Sequence, residues 1–137
     1  MTELAFVLPV LVLLLLAATD FGRLYYTNIE VVDAARAGAQ YGSQGVTAAA
    51  NATGMEQVAK NDAANVPGLS ATASQCICTV GGVGSVPACP TSYFTSSPAG
   101  ATFVEVDTST TFNTIVTYPG IPSSVTLAGK AVMMVEQ

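Results

Sequence analysis

The sequence predicts an α+β fold: a long N-terminal α-helix with a hydrophobic first half, then a small head with a three- to four-stranded antiparallel sheet. Three observations predict it. Residues 4–18 read LAFVLPVLVLLLLAA, fifteen positions without a charge, entered through Glu3 and left through Asp20 and Arg23. Residues 24–42 keep helical spacing with nothing to stop it. Farther on, β-branched alternating segments are separated by Gly- and Pro-rich turns. The 137 residues are enough for one modest core plus the helix, and not for two cores. The organisation read from this is a transmembrane or filament-core helix over 1–23, its amphipathic continuation packed on the head over 24–43, and a globular head over 44–137.

The apolar run is driven out of water, since each buried CH₂ is worth about 0.8 kcal/mol. It must enter lipid or pack against further copies of itself. At ~1.5 Å per helical residue it covers ~22 Å, whereas a full span needs about 20 apolar residues. It spans fully only if Met1, Thr19, Phe21 and Leu24 contribute. The absence of Lys or Arg ahead of it predicts a chain whose basic leader has been removed. Glu3 at the apolar end is costly unless paired, and its natural partner is an amino terminus, its own or a neighbour's. Pro9 removes one amide and crowds the carbonyl of Ala5, which predicts a kink or local melting. Gly22 is a second soft point, where the helix leaves the membrane. Asp20 and Arg23, three apart, are expected as a solvated pair at the water boundary.

Beyond that boundary, Tyr25 and Tyr26 are the amphipathic aromatics expected at headgroup depth. At 100° steps, Arg23, Tyr26, Glu30, Asp33, Ala37 and Gln40 fall on one side of the helix. Leu24, Asn28, Val31, Val32, Ala35, Ala39 and Gly42 fall on the other, a face that thins from Leu and Val to Ala and Gly. Small residues admit a close backbone neighbour. The reading is one helix from Thr2 to Ser43.

The segment ELAFVLPVLVLLLLAATDFGRLYYTNIEVVDAARAGAQYGS resembles the N-terminal signature of TadE-like pilins, the tight-adherence branch of the type IV pilus systems. The resemblance covers residues 3–43 through an acidic start, an internal Pro, DFGR and AARAGAQYG. It extends more loosely to a cysteine cluster and to two final strands ending in TLAGKAVMMVE. It implies that Glu3 pairs with a neighbouring subunit's terminal amine during assembly, and that Pro9 and the Asp20-to-Arg23 element are assembly residues. It also implies partners: identical subunits in a helical homopolymer, the membrane before assembly, a prepilin peptidase and the pilus machinery. The implied location is the bacterial inner membrane first and an extracellular filament afterwards. Only Met1 and Thr2 precede Glu3, fewer than the family places before its glutamate. Either residues are lacking at the start or the cleavage differs.

In the head, residues 53–65 predict a short helix interrupted near Gly54 and ended by Pro67-Gly68. Asn51-Ala52-Thr53 is a glycosylation sequon by pattern. Residues 69–80 are strand-like and lead into a glycine turn flanked by Cys76, Cys78 and Cys89. Cysteines around a hairpin of an exported domain favour a disulfide over a metal, and C-x-C with one distant Cys and no His is a poor zinc set. Cys76 and Cys78 share a strand face, so either reaches Cys89 and one thiol is left over. Residues 90–101 form a charge-free Ser/Thr/Pro loop. Residues 102–116 and 124–136 are strands, expected antiparallel to each other. Val125, Leu127, Gly129, Ala131, Met133 and Val135 share the inner face of the last. Glu105 and Asp107 share a face, which invites a paired-carboxylate reading, but two acids on an exposed strand are ordinarily solvated.

Composition narrows the function classes. Half the residues are hydrophobic and only 9 % are charged, against about 25 % in an average soluble domain. Beyond Ser43 the charges are Glu56, Lys60, Asp62, Glu105, Asp107, Lys130 and Glu136 alone. So few suit a subunit largely covered by identical neighbours. A net charge of −5 with four basic residues argues against nucleic-acid binding. With no His, the commonest general base and metal ligand is missing, and no cofactor or catalytic residue is expected. The expectation is a structural filament subunit. The alternative is a monomeric single-pass anchored protein, extracellular or periplasmic, that binds a ligand or assists assembly as a minor pilin.

Overall fold

The computed structural model describes residues 2–77, 101–115 and 122–136, with side chains from residue 7 onward. Among them the elements are α1 (Thr2–Ser43), α2 (Val46–Ala49), α3 (Ala52–Asp62), β1 (Ser70–Ile77), β2 (Thr102–Asn113) and β3 (Ser124–Met134). This is the expected α+β order.

Helix α1 has 42 residues and is ~63 Å long. It runs unbroken through both expected soft points, Pro9 and Gly22. Pro9 lies inside the helix, and a Cβ added at Gly22 would meet nothing within 4 Å. The second half of α1 buries Val31, Ala34, Ala35, Gly38, Ala39 and Gly42, which recur in steps of three and four. That stripe shares Val31, Ala35, Ala39 and Gly42 with the face read from the sequence and adds Ala34 and Gly38, while Leu24, Asn28 and Val32 of that face are only half-buried.

The sheet has the order β1-β2-β3, with both pairs antiparallel. Ala71 pairs with Thr108, and Asp107 pairs with Lys130. Alternation places Val104, Val106, Thr108, Thr110 and Phe112 of β2 on the inner face, with Leu127, Gly129 and Ala131 of β3 beside them. These meet the buried stripe of α1, while Met55 and Ala59 of α3 complete the core.

Two helical glycines and one strand glycine set how closely the layers approach. A Cβ at Gly38 would lie 2.9 Å from the Met55 carbonyl oxygen, and one at Gly42 would collide with Met55 Sδ. A Cβ at Gly129 would lie 2.7 Å from the Val31 carbonyl oxygen. That closeness lets Thr108 Oγ1 donate to the same Val31 oxygen at 2.6 Å, joining sheet to helix through a buried hydroxyl.

The head helix differs from its expected bounds. α3 begins at Ala52 and includes Gly54, which was expected to interrupt it. Asn51 caps its N-terminus, accepting from the Gly54 amide at 2.9 Å, so the helix starts earlier. Glycine suits position 54 because an added Cβ would crowd the Asn51 side chain at 2.6 Å and the Tyr41 ring at 2.9 Å. α3 stops at Asp62, and Gly68 at φ +71° turns the chain into β1.

Candidate functional site

The neck, where α1 enters the head, is the candidate site. Below it the shaft is bare: the large apolar side chains of residues 7–15 are between 49 and 65 % exposed. α1 is long and apolar enough to cross a membrane, and only 6 % of its most apolar eighteen-residue window is buried within the chain.

At the neck, Asp20 is 5 % exposed, which corrects the reading of a solvated pair. Its two oxygens accept from the Ile115 backbone N–H, at 3.1 Å and 3.2 Å. Arg23 approaches the same carboxylate at 3.5 Å and places its guanidinium 5.4 Å from the centre of the Phe112 ring. Burial of Asp20 is thus offset by an amide and a cation, and the end of β2 is held against α1. Beside this contact lies an apolar groove of about 310 Å³, lined by Ala17, Phe21, Leu24, Phe112, Pro122 and Val125 among others. Pro9 is exposed on the shaft. Glu3 lies in the first turn of α1, and its side chain is outside the described residues.

Residues 1–40 match the family of TadE-like proteins. The match takes in the shaft, the neck and most of the head-bound half of α1, and it stops ahead of α2. The TadE-like segment therefore carries Glu3, Pro9, Asp20 and Arg23, whereas the cysteines and strand carboxylates lie beyond it. Neither a curated protein nor a solved structure matches the chain.

Outside the TadE-like segment, the other candidate residues that the structure describes lie apart from the neck. Cys76 sits on β1 opposite Phe103 of β2, on the sheet face turned away from α1. Cys78 and Cys89 are outside the described residues. Asn51 is exposed, with its Oδ1 committed to the α3 cap and its Nδ2 3.5 Å from the Tyr41 hydroxyl. Glu105 and Asp107 do share a face, but Lys130 stands between them, at 2.6 Å and 3.2 Å. The Lys130 ammonium is held charged above its ordinary range, first by the Glu105 hydrogen bond. This corrects the picture of two acids facing only water. Among the described residues, no group of three His, Cys, Asp or Glu side chains could hold a metal ion.

Reading by sequence missed Phe112 and Ile115. Phe112 had the signal of alternation along β2. For Ile115 none existed, because it takes part through its backbone.

Proposed function

We propose that the chain is a structural pilin, a subunit of a Tad-type filament assembled by burying its N-terminal helix in the filament core. The observation that carries this reading is one continuous helix with an uncovered apolar half and a head-bound half, within a segment that matches the TadE-like family. An apolar rod is insoluble alone and becomes soluble in a bundle whose heads form a polar sheath. Lipid holds the shaft before assembly, in the inner membrane, and identical shafts hold it afterwards in the extracellular filament. A prepilin peptidase and the pilus machinery are the partners this route requires. Glu3 sets register by pairing with a neighbour's terminal amine. The protein acts without catalysis or cofactor, which the absence of His supports.

A disulfide staples the head in this reading, supported by Cys76 as a disulfide-bonded residue. It protects a subunit exposed outside the cell.

The test is to examine shed surface material by electron microscopy and to identify its main band by mass spectrometry, for the wild type and for Glu3→Leu. The wild-type chain is expected in filaments, with Glu3→Leu inserted in the membrane but unassembled. Filaments lacking this chain as their main band leave the minor-pilin reading. A chain recovered only as single anchored copies leaves the monomeric one. Normal assembly of Glu3→Leu removes the register role.

A further inference from the structure

We propose that the neck groove receives the shaft of a second copy of this chain, in a head-to-tail contact. This rests on the filament reading and adds to it a specific docking surface and occupant.

Charge selects the occupant first. Among the described residues, the one charged group lining the groove, Asp20, is already engaged by the Ile115 amide and Arg23, so what enters must be uncharged. Residues 4–18 of the chain are such a segment.

The distribution of exposed apolar side chains points the same way. Above the shaft, Phe21, Tyr25 and Ile29 lie on successive turns of α1, and Phe21 is 72 % exposed. Ile115 adjoins the groove wall at Thr114. The apolar surface of the shaft thus continues past Asp20 and alongside the groove. Tyr26, turned to another side of α1, and Val46 and Met134 away from the neck are the other large hydrophobics exposed among the described residues.

The molecule's own shaft cannot fill the groove, because α1 is unbroken from Thr2 to Ser43 and carries the shaft away from it. A shaft seated there therefore belongs to another molecule. A cylinder ~22 Å long and about 11 Å wide presents about 750 Å² around its surface. A stable interface takes about 800 Å² from each partner, so covering a shaft amounts to one interface, shared among neighbours.

The contact is heterologous, shaft against neck, and leaves each copy with a free neck at one end and a free shaft at the other. Such contacts propagate as an open helix unless they close into a ring. The groove is centred roughly nine residues above the middle of the apolar run, an axial offset of ~14 Å between contacting copies.

The test places the photo-crosslinker p-benzoylphenylalanine at Phe21 of the full-length chain, and at Met134 as the control position. Isotopically light and heavy copies are mixed before irradiation, so that crosslinks between molecules are recognised by mass. The expected result is a crosslink from Phe21 to residues 7–16 of another copy, several-fold stronger than any from Met134. Polymers whose Phe21 crosslinks fall elsewhere would overturn the groove and leave the filament reading standing. Single copies crosslinked only to lipid would overturn both. In parallel, Phe21→Glu is expected to abolish polymer while the head melts as in the wild type. Normal polymer from Phe21→Glu sinks the groove assignment.

Discussion

Asp20 shows how a carboxylate at the rim of an apolar helix is kept from water without isolation. Both its oxygens accept from an amide 95 positions away, and Arg23 stands beside it on the next turn. Asp20→Ala leaves the Ile115 N–H unpaired, which is expected to cost about 1–3 kcal/mol. Asp20→Asn, which keeps an acceptor, is expected to cost less. Chemical denaturation of the full chain in detergent measures both, and equal losses would remove the amide from the account. Lys130 makes a pH prediction. Its pKa is raised above the ordinary 10.5, chiefly by the Glu105 hydrogen bond, so the folded state holds that proton more tightly than the unfolded chain. The resulting stability is fully present below pH 10.5 and fades as pH rises through the higher folded value. The difference in melting temperature between wild type and Lys130→Met is therefore expected to shrink between about pH 8 and about pH 11.5. A difference that stays constant across that interval contradicts the role assigned to this proton.

The elements pack closely where residues are smallest. Gly38 and Gly22 lie on the same helix in opposite circumstances: a Cβ added to one would lie 2.9 Å from the Met55 carbonyl oxygen, and one added to the other would meet open space. Gly38→Ala is expected to destabilise the head by about 1–3 kcal/mol through overpacking. Gly22→Ala is expected to stabilise α1 by about 0.5–1 kcal/mol through helix propensity. Thermal melts of the two variants should move in opposite directions, and a shared sign would refute the packing argument. Much of the inner stripe of α1 and the inner face of β3 were legible in the sequence, because periods of 3.6 and 2 are local properties. The cap at Asn51 was not, since the same residue also reads as a sequon, and Gly54 was misread because Tyr41 above it is supplied by another helix. At the candidate site, the rim position of Asp20 was legible and its burial was not. Its partner Ile115 belongs to the far end of the chain and contributes no side chain. Lys130 between Glu105 and Asp107 is likewise a product of strand register.

For the whole molecule, an uncovered apolar shaft on a head poor in charge makes assembly chiefly a matter of removing surface from water. Filaments of this chain are therefore expected to survive high salt and to come apart in mild detergent, followed by sedimentation. Dissolution by salt with resistance to detergent would show that ion pairs hold the copies together instead. The head is also tied to α1 at both ends of their contact. Ile115 meets Asp20 at the neck, and the Glu136 amide donates to the Ser43 carbonyl at 2.9 Å at the opposite pole. These ties stand 23 residues apart along α1, ~34 Å. A tensile load drawn along the shaft consequently reaches the sheet in shear, divided between two distant fasteners.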